Sequence, residues 1–219
     1  MLVPVHEWLG AAGVGIKVIG RGGHGSRPDM SVNPVFCAAS ILTNTATAWV
    51  NQITAGRTVT LGVTSIQGGE APNVIPDTAD ILGSLRFFND EEGEKAVRIF
   101  KNVAEHTAAM NNCQVQFDDR FCVLCAPVIN DEYYSNLISA ALPEVLLENV
   151  TVSSCEPWYA SESFSCYRRI CPSVLAHLGI NNPSYGSGAA HHNGFFDVDE
   201  GVLSTGVIAT LKFVAMLQK

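Results

Sequence analysis

The chain is short of positive charge: 13 Lys and Arg stand against 21 Asp and Glu, leaving a formal net charge of −8. No local basic cluster offsets that excess, so phosphate backbones and anionic membrane surfaces would repel it, and nucleic acid is excluded as a partner. Long apolar runs are also missing. Lys212 interrupts the best candidate, near the C-terminus, so no membrane span is expected. The opening residues Met1 to Glu7 carry no basic leader, which speaks against a signal peptide and for a cytoplasmic protein. Charged residues are only 16% and hydrophobic ones 47%, a balance that excludes disorder. At 219 residues the chain can bury about 70% of its unfolded surface, enough for one large or two small domains without covalent staples.

The usual catalytic signatures are absent as well. There is no GxSxG elbow and no HExxH helix. The seven cysteines are an odd number spread over a long chain, which fits buried thiols better than a disulfide framework. Cys122 and Cys125 form a CxxC, but without a second pair they read as two strand cysteines.

What is present is a regular order of elements. Gly15 to Ile19 has strand composition and runs into a glycine-rich loop, Gly20 to Gly25. Asn33 and Pro34 then open a helix carrying Val35, Ala38, Ala39 and Leu42. Alternation predicts strands over 57–66 and 79–88, the second with Ile81, Leu85 and Phe87 on one face and Arg86 on the other. Asn89 caps a helix to Met110 with Val97, Phe100, Ala104 and Thr107 on one stripe, and Cys113, Val115 and Phe117 alternate in a closing strand. The order β-α-β-β-α-β over residues 14–125 is the ferredoxin-like split unit, a four-stranded antiparallel sheet with two helices on one face. Residues 1–13 precede it as a linker or remnant.

From residue 126 onward the pattern changes to helix, strand, helix, strand, helix, a partial α/β layer with strands expected near 150–152 and 173–178. The last helix, about 199–217, is apolar on several faces and needs cover on more than one of them.

Three stretches carry candidate chemistry. The Gly20 to Gly25 loop lacks the immediate helix of a phosphate cradle, since Pro28, Asp29 and Met30 intervene, so His24 is either a loop-tip proton carrier or donor, or a solvated turn residue. His191 and His192 follow a Gly-rich loop and precede Asp197, Asp199 and Glu200, which allows either a metal ligand or a surface pair. Ser161 and Glu162 read as a helix start.

Taken together, Gly22-Gly23-His24-Gly25-Ser26-Arg27-Pro28, Asn33-Pro34-Val35, Gly68-Gly69-Glu70-Ala71-Pro72-Asn73-Val74-Ile75-Pro76-Asp77 and Gly83-Ser84-Leu85-Arg86 resemble the lid, or dimerisation, domain of the zinc amidohydrolases. That family includes aminoacylase, hippurate hydrolase, indoleacetyl-amino-acid hydrolase and carboxypeptidase G. Ser161-Glu162-Ser163-Phe164-Ser165 and His192-Asn193-Gly194-Phe195-Phe196-Asp197-Val198-Asp199-Glu200 resemble the later part of its catalytic domain.

The resemblance implies an enzyme hydrolysing N-acyl amino acids or short peptides with a divalent metal, zinc, two ions in the complete site, working as a homodimer through its lids. It implies that His24 reaches into the partner's site to stabilise an oxyanion, that Asn73 and Arg86 hold substrate, and that His192, with His191 as the fallback register, is a metal ligand. Glu162 matches the acid of a Glu-Asp-Phe stretch, where Ser163 here replaces the second acid, and Gly194 replaces a frequent proline.

The family's other ligands and its Glu-Glu general base belong to a first catalytic half that would precede Met1. The resemblance therefore implies a chain inactive alone unless a separate N-terminal fragment completes it. Two other readings stand beside this one: a non-catalytic dimerisation module, and a ferredoxin-like domain that binds a small molecule, which requires a pocket on the sheet face.

Overall fold

The computed structural model describes residues 8–118, 125–146, 150–153 and 156–218. Two compact units emerge, one formed by Trp8–Pro127 with Tyr159–Ser163, the other by the chain from Val128–Trp158 and from Phe164 onward.

The first unit begins with β1 (Gly10–Ile19), followed by a two-residue strand β2 (Gly23–His24) and helix α1 (Pro34–Gln52). Asn33 caps α1 by accepting the N–H of Val35, and Pro34, which has no N–H to lose, occupies the first turn. Strand β3 (Val59–Gln67), a second two-residue strand β4 (Val74–Ile75), β5 (Thr78–Phe87), α2 (Asp90–Met110) and β6 (Gln114–Phe117) complete it. Asn89 caps α2 through the N–H of Glu92, and Asp90, Glu91 and Glu92 favour the positive end of the helix dipole.

The four long strands form one antiparallel sheet in the order β3-β5-β1-β6, the ferredoxin-like arrangement that the sequence pattern predicts. Ile16, Val18, Ile81, Leu85 and Phe87 point to one face, where α1 lays down Cys37, Ala38 and Ile41 and α2 lays down Ala96, Phe100 and Ala104. Each large side chain buried this completely contributes about 1.5–3 kcal/mol. Burial pushes the Cys37 thiol up to about 12, and Cys113 beside it is raised by the same cause, so both are inert core thiols.

Several expectations shift. The first strand starts at Gly10 rather than Gly15, because Gly10 to Val14 continue the ladder against Gly83 to Phe87. The alternation of β3 holds from Val59 through Leu61 to Val63 and is broken after it by a bulge between Val63 and Ser65. The short β2–β4 ladder was not foreseen. Cys122 of the CxxC lies outside the described residues.

In the second unit, Asp131 caps α3 (Glu132–Ala141) and the chain ends in α4 (Leu203–Leu217). The expected strands at 150–152 and 173–178 are not formed among the described residues. A strand needs a ladder partner. Here the Asn130 amide takes that place, donating to the carbonyl of Leu175 at 2.8 Å and accepting its N–H at 2.7 Å. The helix start expected at Ser161 is instead a 3₁₀ turn over Ser163–Arg169.

The final helix opens with a 3₁₀ turn, Glu200–Val202, in which Asp199 accepts the N–H of Gly201. Only Thr205 and Ala209 of α4 are buried, so the demand for further cover read from the sequence stands. By length and composition Glu200–Leu217 could cross a membrane, with a mean hydropathy of 1.5. Lys212 in its middle is nevertheless ion-paired to Glu144 at 2.7 Å, and Phe213 meets the Tyr134 ring edge-on.

Candidate active-site elements

The glycine-rich loop turns at β2, where His24 pairs with Val74 of β4 and Gly23 with Ile75. Gly25 donates its N–H to the Asn73 carbonyl at 2.8 Å, and Gly22 donates to the Asp77 carboxylate at 2.7 Å. His24 and Asn73 are thus brought together at one tip of the unit, both exposed. The glycines are there because backbone approaches backbone: a Cβ at Gly22 would lie 2.7 Å from the Ile75 carbonyl, and one at Gly20 2.2 Å from that of Val32.

The His24 ring is oriented by Ser26. The Ser26 backbone N–H points at Nδ1 at 3.2 Å, and the Ser26 hydroxyl meets the same nitrogen at 2.7 Å. A backbone N–H has only a proton to offer, so Nδ1 must present its lone pair. The neutral ring then carries its proton on Nε2, as a donor. Neither Ser26 nor Asp77 was assigned a role from the sequence, although both stand inside the motifs that drew attention to the loop.

Arg86 lies elsewhere. It sits on β5 opposite Ala11 and Thr60, while the end of β5 near the His24 tip is Thr78, paired with Ile19. Eight residues of strand separate Thr78 from Arg86, about 26 Å. Arg86 is at the end where the chain enters and leaves the unit, since Ala11 also bridges to Cys125. Glu162 belongs to that end too: its carbonyl accepts from the Cys125 thiol at 3.6 Å, its carboxylate accepts from the Ser163 hydroxyl at 2.9 Å, and nearby Tyr159 packs edge-on against Phe88.

The histidine pair belongs to the second unit. His191 is clamped by aromatic rings, with its centroid 5.3 Å from Trp158 and 5.4 Å from Phe196. Trp158 in turn packs against His177, whose pKa is lowered by burial and by the nearby His191. An Asx turn at Asn193, accepting the N–H of Phe195, closes the loop. His192 is exposed, with φ at +61°, a conformation uncommon outside glycine and asparagine. Both histidines are exposed, His191 in contact with aromatic rings and His192 at a positive φ. The aromatic surroundings of His191 gave no periodic signal in the sequence.

A catalytic zinc needs about three protein ligands. Among the described residues no three His, Cys, Asp or Glu side chains gather to hold one. His192 is a single donor, and the residues present do not by themselves fit a metal.

Residues 8–111 match the model of the peptidase dimerisation domain. This segment belongs to that family. The chain is 28% identical over 198 residues to thermostable carboxypeptidase 2 of Saccharolobus solfataricus, covering 89% of this chain and 48% of the relative. It is 28% identical over 189 residues to N-acetylcysteine deacetylase of Bacillus subtilis, covering 86% and 47%. The YXEP protein of Bacillus subtilis, a dinuclear metal-binding peptidase of the M20 family, superposes with a TM-score of 0.73 at 20% identity, over 99% of this chain and 52% of that one. The chain thus spans about half the length of the curated relatives it matches.

Proposed function

We propose that this chain is the lid and C-terminal catalytic segment of a metal-dependent amidohydrolase that cleaves the amide bond of N-acyl amino acids or short peptides. The observation that carries the reading is the exposed His24 near Asn73 at the lid tip, its Nδ1 engaged by Ser26, which leaves Nε2 to act as the donor. A preorganised donor of that kind stabilises the oxyanion formed when water attacks an amide carbonyl.

The separation of the two ends of the sheet supports a dimer. His24 and Asn73 at one end and Arg86 at the other cannot serve one small substrate from a single lid. In this reading His24 and Asn73 act in the site of a second copy, and Arg86 acts near its own chain's hinge, where its forked guanidinium suits a substrate carboxylate. An apolar groove of about 450 Å³ between α1 and edge strand β3, lined by Leu42, Trp49, Val50, Leu61 and Val63, offers the surface for that second copy. Phe36 on α1 and Ile66 on β3 are also exposed on the same two elements.

His192 is proposed as one metal ligand, zinc being the ion, and Glu162 as a supporting acid; the remaining ligands and the general base would come from outside the described residues. The coding sequence immediately upstream of Met1 tests the proposal. A His/Cys metal motif followed by a Glu-Glu pair, in frame or in a neighbouring gene, is expected, and its absence from both places would remove the catalytic reading. The second reading, a dimerisation module without catalysis, draws on the match of residues 8–111 to the peptidase dimerisation domain. It would then take its place.

A further inference from the structure

The face of the sheet turned away from the helices carries a feature with no part in amide hydrolysis. One residue from each strand lines up in register across it: Gln67 of β3 opposite Asp80 of β5, Asp80 opposite Lys17 of β1, and Lys17 opposite Gln116 of β6. The next row reads Ser65, Leu82 and Gly15, closed by Asp118, whose N–H bonds the Gly15 carbonyl. All of these except Ser65 line a cleft of about 460 Å³. At Gly15, which is buried, the Asp118 side chain closes over the backbone, and a Cβ there would fall 2.8 Å from the Cβ of Asp118.

Directly opposed residues on neighbouring strands have Cβ atoms about 5 Å apart, close enough for Lys and Asp to pair. In this structure the Lys17 and Asp80 side chains make no ion pair or hydrogen bond with any described residue. A cation and an anion therefore stand side by side, each open to a ligand, flanked by two amides and bordered by Leu82.

We propose that this face binds a small zwitterion, a free α-amino acid, independently of the catalytic reading. Its carboxylate meets Lys17, its ammonium meets Asp80, and its side chain lies over the exposed Leu82. The two charges of an α-amino acid lie on adjacent carbons, which matches adjacent positions in one cross-strand row. Gln67 and Gln116 are placed to bond the remaining lone pairs and protons at either side.

The test is a two-dimensional NMR titration of the 219-residue chain with L-leucine, and separately with isovalerate and isoamylamine, which each keep one charge. Millimolar L-leucine should shift the amides of Gly15, Lys17, Asp80, Leu82 and Gln116, and each one-charge analogue should bind about tenfold more weakly or worse. Lys17→Met and Asp80→Asn should each weaken L-leucine binding by a similar factor, while Glu94→Gln on the exposed face of α2 should not. Absence of shifts, shifts confined to another surface, or equal binding of the one-charge analogues would overturn the proposal. The analogue series stands even if one variant fails to fold.

Discussion

The backbone N–H of Gly25 is bonded to the carbonyl of Asn73 at 2.8 Å, which ties the glycine-rich loop to a segment 48 residues further along the chain. With the Gly22 to Asp77 bond it makes the lid tip a braced structure, and it explains a glycine density that has nothing to do with phosphate.

Replacing Gly22 by Ala forces a methyl group against the Ile75 carbonyl, at 2.7 Å from its ideal position. The expected cost is about 1–3 kcal/mol in urea unfolding, the usual range for overpacking. The NMR signals of His24 and Asn73 should move with it, and a variant as stable as the parent with an unchanged tip would show that the bracing is unimportant.

Gly93→Ala reverses a general rule. In an exposed helix interior that change stabilises by about 1 kcal/mol. At position 93 the new Cβ would sit 2.6 Å from the ring of Phe87, which is 1% exposed and fixed in the core. The thermal midpoint is expected to fall, and a rise would mean that Phe87 has room to yield.

Glu92 gives a pH dependence with a definite sign. The Thr54 side chain donates to its carboxylate, with further contributions from the Thr54 N–H and from Lys95, and these hold its pKa below the ordinary carboxylate value. A depressed folded pKa contributes stability that is fully present above the unfolded value, about 4.3, and is lost as pH falls through the folded one. Glu92→Gln should therefore lower stability at neutral pH and flatten its decline below about pH 4.3. Parallel profiles for the two proteins would contradict the link.

The groove between α1 and β3 predicts association. Light scattering on the purified chain should give a dimer that dissociates on dilution, and Phe36→Asp, which places a charge on a side chain 73% exposed, should leave a folded monomer. A monomer at all concentrations would remove the trans role of His24.

Much of the first unit was legible because its signals are local. Asn33-Pro34 and Asn89 announce two helices by capping chemistry, and the alternation from Ala79 to Phe87 sets both the strand and the outward face of Arg86. What stayed hidden depends on distant partners. The β2–β4 ladder joins residues about fifty apart, and the ring contact of His191 is made with Trp158, 33 residues upstream. The strands expected at 150–152 and 173–178 have suitable composition, but no neighbouring strand among the described residues completes a ladder with them. The two ends of the lid became distinguishable only when register showed Arg86 far from Asn73, thirteen positions earlier in sequence.

On the proposed reading, these residues furnish one donor and a lid for a site that they do not complete. The most direct measurement is hydrolysis of an N-acyl amino acid by the purified 219-residue chain with zinc supplied, alongside its bound metal after dialysis. No turnover and no retained ion are expected. Turnover abolished by a chelator and restored by zinc would contradict it.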